Sequence, residues 1–101
     1  MRPARLDAAT IKAAIPPAAF YANEFPGWTP KRRDTWNAGP VCPFHADKHP
    51  GSFRVNTATG AYTCFSCGCH GPDVLAFAMA RYSLTFREAL EHLARTWGIA
   101  A

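Results

Sequence analysis

The sequence predicts a small α+β domain organised around a metal site, and three observations support this prediction. All four cysteines and three of the four histidines fall into two short segments, "VCPFHADKHPGSF" and "YTCFSCGCHG". The residues between these segments alternate as in a β-hairpin, and helical patterns with capping residues lie on both sides. A chain of 101 residues forms one domain with a modest core, so its Pro- and Gly-rich centre needs a further source of stability.

The spacing of the cysteines and histidines predicts one zinc site. Cys42 and His45 form a C-x-x-H pair, while Cys64 and Cys67 form a C-x-x-C pair. Two intervening residues allow both side chains of a pair to face one ion, and two such pairs complete a tetrahedron. Three thiolates and one imidazole suit a closed, structural Zn²⁺ site that leaves no position for a catalytic water. We therefore expect one structural Zn²⁺ with the ligands Cys42, His45, Cys64 and Cys67.

Two other interpretations of the cysteines remain open at this point. A thioredoxin-like redox pair at Cys64 and Cys67 requires a βαβ context that the sequence lacks, and two disulfides require an oxidising compartment. Because neither a signal peptide nor an apolar stretch of membrane-spanning length is visible, we expect a cytoplasmic protein without a membrane partner. Cys69 and His70 could also enter the site; the simpler interpretation is a free thiol near the metal and a loop residue or phosphate contact.

The pattern along the chain predicts a hairpin and several helices. Phe53, Val55 and Tyr62 are strand formers on either side of a polar turn over 56–60. Two short helices are predicted before the hairpin, one capped by Asp7 and ending before Pro16, the other in "PAAFYANEF". After the hairpin, one helix is predicted from Gly71-Pro72-Asp73 to about Tyr82, and a capping box at Thr85–Glu88 begins another. The last helix carries an apolar stripe, which we expect in the core or as a docking face for the hairpin, and its residues are Phe86, Leu90, Leu93 and Trp97.

The stretch "CPFHADKHPGSFRVNTATGAYTCFSCGCHGPDVLAF" resembles the Cys-His-Cys-Cys zinc-binding domain of bacterial and phage primases, and the similarity runs from about Trp36 to Trp97. The resemblance implies a zinc-ribbon antiparallel β-sheet flanked by helices, with the same four ligands. We expect a single domain over 1–101, with a helical segment over about 1–30, the zinc ribbon over about 35–71 and the C-terminal helices over about 72–98. Gly51 and Pro72 depart from the family pattern.

Basic and aromatic residues point to nucleic acid as the partner. The formal charge is +4, and phosphate-neutralising side chains interleaved with aromatic rings are typical of single-strand binding. We expect Phe44 and Phe65 to pack around the zinc instead. The candidate contacts with nucleic acid are Lys31, Arg32, Arg33, Trp36, Lys48, Arg54 and Tyr62.

The resemblance implies a zinc-stabilised module that binds single-stranded DNA and helps to choose where primer synthesis starts during DNA replication. The seven carboxylate residues are scattered and form no D-x-D pair, so we expect no polymerase centre here and a separate polymerase, primase or helicase as partner. The alternative is a zinc-ribbon interaction module whose apolar helix recruits a polymerase, helicase or regulator. The module could be encoded on a mobile element or belong to a longer primase.

Overall fold

The fold is a four-stranded antiparallel sheet packed against helices, as a computed structural model of residues 7–46 and 50–99 describes it. These residues form α1 (Ala8–Ala14), α2 (Pro17–Glu24), β1 (Trp36–Ala38), β2 (Phe53–Asn56), β3 (Tyr62–Cys64), β4 (His70–Gly71), α3 (Val74–Tyr82) and α4 (Phe86–Thr96). The predicted α+β class is confirmed. No helix in this part of the chain is long and apolar enough to cross a membrane.

The sheet has one buried face and one exposed face. Its strands lie in the order β1-β2-β3-β4, and each strand is antiparallel to the next. Since successive side chains of a strand point to opposite faces, Phe53 and Val55 are buried while Arg54 between them is exposed. The register places Val55 opposite Tyr62, so Tyr62 also faces inward.

The turn between β2 and β3 is built as the sequence predicts. The Asn56 side-chain oxygen accepts hydrogen bonds from the backbone N–H groups of Ala58 and Thr59, at 2.8 and 3.0 Å. Gly60 closes the turn with φ +83°, a conformation that favours glycine. Its carbonyl accepts a 2.7 Å hydrogen bond from the buried hydroxyl of Tyr21, which ties the hairpin to α2.

The helix ends follow the capping signals, with one difference. Asp7 caps α1, and the capping box of Thr85 and Glu88 starts α4. The third helix begins one step later than predicted, because Asp73 is its N-cap and accepts from the Ala76 backbone, so Pro72 lies outside the helix. Asp73 also forms a salt bridge of 3.1 Å with Lys12 of α1.

A cluster of aromatic rings fills the space between the sheet and the helices. Phe77 of α3 is completely buried and lies at its centre, with ring centroids 5.1 to 6.4 Å from those of its neighbours. These neighbours come from α2, the loops and the sheet, and they are Phe20, Tyr21, Phe25, Phe44, Phe53 and Tyr62. The elements thus share one core.

The apolar stripe of α4 is only partly in the core. Leu90 and Leu93 are buried as predicted, and half-buried Trp97 stacks on Phe20 at a centroid distance of 6.3 Å. Phe86 is 51% exposed, so its predicted place in the core is wrong. Phe86 is the first residue of α4, so it lies at the end of the apolar stripe, beyond the part of the helix that packs against the domain.

Replacement of Gly60 by alanine should lower the stability of the zinc-loaded domain. An alanine at this position would have to adopt φ +83°. Its Cβ would lie only 3.0 Å from Val74 Cγ1 and 3.1 Å from the Val74 backbone nitrogen. Left-handed backbone strain costs about 1–3 kcal/mol, and the contact with the first turn of α3 adds to it. Urea unfolding of the zinc-loaded protein measures the loss.

Gly27→Ala is the matched control, because Gly27 has φ +89° but nothing within 4 Å of the new Cβ. It should lose only the strain energy and remain more stable than Gly60→Ala. Equal losses in the two variants would show that the contact between the turn and α3 has no energetic weight.

Candidate metal centre and nucleic-acid interface

The first pair of predicted ligands follows β1 and is attached to the aromatic core. Cys42 is buried, and its sulfur accepts a hydrogen bond of 3.4 Å from the backbone N–H of Phe44. The Phe44 ring stacks on Tyr62 at 5.6 Å and meets Phe77 edge to face at 5.5 Å. Phe44 therefore packs into the aromatic core, and this ring fixes the first pair relative to the sheet.

The second pair lies in the tight turn that joins β3 to β4. Cys64 ends β3 and is buried, whereas Cys67 is exposed. Two backbone hydrogen bonds of 2.8 Å close the turn, from Gly68 N–H to the Cys64 carbonyl and from Cys64 N–H to the Cys69 carbonyl. This closure brings Cys69 back beside the turn, so three cysteine side chains of one short segment converge.

The four sulfur atoms have the spacing of a metal site. Among the described residues, the group of side chains that could hold an ion comprises Cys42, Cys64, Cys67 and Cys69, whose sulfurs all lie within 4.8 Å of one another. The sulfur of Cys42 is 3.9 Å from that of Cys67 and 3.9 Å from that of Cys69. With Zn–S bonds of about 2.3 Å, the edge of a regular tetrahedron is about 3.8 Å. The residues therefore fit a closed zinc site.

The structure brings together three of the four predicted ligands and adds Cys69. His45 is half-buried, and its Nδ1 atom is buried, but the ring is not a member of the sulfur group. The assignment of His45 as the fourth ligand stays a prediction. The C-x-x-C-x-C spacing was the sequence signal for Cys69. The hydrogen bonds that close the turn place its sulfur beside the other three.

The surroundings of the thiols push their pKa values apart. Burial raises the pKa of Cys42 to about 11 and also raises the pKa of Cys69. A backbone hydrogen bond from Cys69 to the Cys67 sulfur, helped by the neighbouring thiols, lowers the pKa of Cys67 to about 6. The opposite shifts make the exposed Cys67 more readily ionised than Cys42 or Cys69, and the thiolate is the form of cysteine that binds metal.

The exposed face of the sheet carries a row of polar and aromatic side chains. Arg54 is paired with Ala38 on one side and with Thr63 on the other, and Thr63 is paired with His70. Trp36 lies on the same face and is 41% exposed. Phe65, in the turn of the second ligand pair, is 72% exposed, and the Arg54 guanidinium lies 5.5 Å from the centre of its ring.

A groove of about 560 Å³ runs beside this face, and buried Asn37 shapes it. The side-chain oxygen of Asn37 accepts hydrogen bonds from the backbone N–H groups of Lys31 and Arg32, at 2.9 and 2.8 Å. Its amide nitrogen donates to the Arg32 carbonyl at 3.1 Å. One buried side chain therefore fixes the basic segment against β1, where Lys31 and Arg32 line the groove together with Trp36 and Arg54.

The predicted nucleic-acid contacts fall into three groups. The exposed positions are Lys31, Arg32, Arg33, Trp36 and Arg54, of which Arg33 lines a neighbouring cleft instead of the groove. Lys48 lies outside the described residues. Tyr62 is only 4% exposed, because its register turns the ring into the core, so we do not retain it as a base-stacking residue.

Phe65 is the correction in the opposite direction. It was expected to pack around the metal, but its ring is among the most accessible large apolar side chains of the described chain. The backbone N–H of Phe65 donates to the Ser52 carbonyl at 2.9 Å, which holds the turn beside β2 while the ring points outward. An aromatic residue between two ligands carries no sequence signal for its orientation.

The fold and the sulfur cluster together define a zinc-ribbon domain. Residues 30–101 match the model of the CHC2 zinc finger family. Since this match covers more than half of the chain, the protein belongs to that family, and it binds one structural zinc ion.

Similar proteins are DNA primases. The chain is 45% identical over 69 residues to the DNA primase of Helicobacter pylori strain J99. The aligned residues cover 68% of this chain and 12% of that primase. It is 44% identical over 59 residues to the DNA primase of Thermotoga maritima, and this alignment covers 58% of this chain and 10% of that protein. The chain thus spans about a tenth of the length of these relatives.

The fold is also similar to that of a solved structure. A crystal structure of the Aquifex aeolicus primase, with its zinc-binding and RNA polymerase domains, superimposes with a TM-score of 0.68 at 24% sequence identity. The superposition covers 92% of this chain and 21% of that one. The predicted zinc-ribbon sheet flanked by helices is confirmed.

Replacement of Cys64 by serine should abolish zinc binding and unfold the centre of the domain. Cys64 is buried at the end of β3, and structural zinc binding contributes about 10–16 kcal/mol to small zinc modules. Native mass spectrometry should give one zinc per chain for the wild type and none for Cys64→Ser. Ser66→Ala, in the same turn and exposed, is the control that should keep the metal; a zinc-loaded Cys64→Ser would contradict the site.

Proposed function

We propose that this protein is a zinc-stabilised module that binds single-stranded DNA in the cytoplasm and presents a template to a separate polymerase during primer synthesis. The zinc would be held by Cys42, His45, Cys64 and Cys67, as the Cys-His-Cys-Cys pattern predicts. The observation that carries the proposal is the exposed sheet face, on which Trp36, Arg54 and Phe65 combine two accessible rings with a cation.

The chemistry of this face matches that of an unpaired strand. Aromatic rings stack on the faces of unpaired bases, which a duplex keeps covered, and arginine and lysine neutralise the phosphates between them. The Arg54 guanidinium lies over the Phe65 ring, 5.5 Å from its centre, so a cation and an accessible aromatic ring occupy the same part of the surface. Lys31 and Arg32 extend the positive charge along the groove beside Trp36.

Zinc binding and nucleic-acid binding would be coupled through Phe65. This ring belongs to the turn between Cys64 and Cys67, and a metal bound by both cysteines would fix the two ends of that turn. The zinc would have no chemical role in primer synthesis, because four protein ligands leave no position for water or substrate. Its contribution is the orientation of an aromatic contact.

The proposal assigns primer synthesis to a partner. Among the described residues, the four sulfurs are the group of potential metal ligands, and no group of three carboxylates that could hold the Mg²⁺ ions of a polymerase is present. The relatives at 45% and 44% identity are DNA primases, and the matched segments cover 12% and 10% of their lengths. A primase or helicase protein that acts on the bound strand is therefore the expected partner.

The alternative of a pure interaction module has less support. Its predicted docking surface, the apolar stripe of α4, is largely occupied, because Leu90 and Leu93 are buried against the rest of the domain. Phe86 and Tyr82 remain exposed, at 51% and 40%.

Removal of the face residues should weaken binding to single-stranded DNA in two distinguishable ways. Arg54→Ala should lower the affinity and reduce the slope of log K against log salt by about 0.7, the contribution of one phosphate contact on a single strand. Trp36→Ala and Phe65→Ala should each cost about 1–3 kcal/mol and leave the slope nearly unchanged, because stacking releases no counterions. Fluorescence anisotropy on a short oligonucleotide at several salt concentrations measures both quantities.

Arg87→Ala is the matched control, since Arg87 is an exposed arginine of α4, away from the sheet. It carries the same change in net charge and should leave affinity and slope close to those of the wild type. Zinc content is measured for every variant. Equal behaviour of Arg54→Ala and Arg87→Ala, with no effect of the two ring deletions, would favour the interaction module.

The isolated chain, supplied with template, ribonucleotides and Mg²⁺, should synthesise no primers, and products should appear only when a polymerase partner is added. The reason is the scattered placement of its seven carboxylate residues. A gel of labelled products decides the question, with a full-length bacterial primase as positive control. Primers made by the pure chain would refute this division of labour.

A further inference from the structure

We infer that the zinc site contains a fifth ligand, Cys69, which is interchangeable with His45 at the fourth coordination position. The inference concerns the metal centre and does not depend on nucleic-acid binding. It goes beyond the Cys-His-Cys-Cys pattern, which includes one ligand pair before the hairpin and one after it and has no place for a third cysteine in the second turn.

The sulfur geometry carries this inference. The Cys69 sulfur is as close to the Cys42 sulfur as the Cys67 sulfur is, with 3.9 Å in both cases. Both distances are close to the edge of about 3.8 Å expected for a tetrahedron of thiolates around zinc. Cys69 thus has the same relation to Cys42 as a ligand of the C-x-x-C pair has.

Backbone hydrogen bonds hold Cys69 in this position. The Cys69 carbonyl accepts a 2.8 Å bond from Cys64 N–H, and β4 begins at the next residue. Gly68 precedes it with φ +80°, a conformation that reverses the chain direction at this point and returns Cys69 toward the first pair. The placement is therefore a property of the turn itself.

His45 is not a member of the sulfur group. It follows Phe44, whose ring is anchored in the core, yet its imidazole is not part of the group within 4.8 Å that includes Cys69. Zinc has four positions in a structural site, while this chain offers five donors. Three of them, Cys42, Cys64 and Cys67, are common to both arrangements.

The exchange is a simple ligand substitution. The His45 imidazole nitrogen would leave the ion, the Cys69 sulfur would take its position, and the Cys69 thiol proton would pass to the released imidazole or to water. No electron is transferred. Three thiolates and one imidazole give the site a net charge of −1, and four thiolates give −2, so the exchange adds one negative charge beside Phe65.

The experiment compares zinc retention in single and double variants. His45→Ala, the size-matched His45→Gln, and Cys69→Ser are refolded with zinc, together with the double variant His45→Ala/Cys69→Ser. Native mass spectrometry counts zinc per chain, and a Co²⁺-substituted sample of each gives the ligand-field and sulfur-to-metal charge-transfer bands. These bands are independent of any activity.

Each single variant should retain one metal ion, and the double variant should lose it. In the Co²⁺ spectra the His45 variants should show a stronger charge-transfer band and a ligand-field band shifted to longer wavelength than Cys69→Ser, because they bind through four thiolates in place of three. Loss of zinc from both His45 variants, loss from Cys69→Ser, or full retention by the double variant would each overturn the inference. Binding of single-stranded DNA by Cys69→Ser, measured in parallel, tests the proposed function separately.

Discussion

The packing around Phe77 is the constraint on which the other features depend. This buried ring contacts aromatic residues from α2, from the loop that carries the first ligand pair, and from both strands of the hairpin. Four helices of seven to eleven residues and a sheet of two- to four-residue strands could not each form a core alone, since burial of apolar area is limited in a domain of this size. A single ring that contacts α2, the loop of the first ligand pair and both strands of the hairpin makes the packing of these elements cooperative.

The metal site reinforces that packing at the end of β3 and in the loop that carries Phe44. Phe44 links the first ligand pair to Tyr62 and Phe77, while the second pair continues directly from β3. A zinc ion contributes about 10–16 kcal/mol in such modules, which is comparable to the total stability of a small domain. The ion and the aromatic cluster therefore stabilise the same hairpin at two places. The ion acts at the strand termini, and the rings pack along the buried face.

Local signals allowed the hairpin, the caps and the ligand spacing to be predicted, because each depends on residues a few positions apart. The Asn56 to Gly60 turn and the Thr85 capping box are examples. The orientation of Tyr62 and Phe65 was not predictable in this way. It depends on the strand register and on the hydrogen bond from Phe65 to Ser52, which are set by pairing between distant segments. The strands β1 and β4 have three and two residues, too few for a periodic pattern.

The alternation of side chains in the sheet separates two kinds of evolutionary change. Inward positions such as Val55 and Tyr62 are fixed by the core, and Gly71 must stay small because an added Cβ would lie 2.5 Å from the Tyr62 ring. Outward positions in the cross-strand row of Ala38, Arg54, Thr63 and His70 contact solvent and each other. Substitution there alters the chemistry of the surface without disturbing the packing beneath it. A lineage of such domains can therefore diversify what it recognises while its fold and its zinc affinity stay constant.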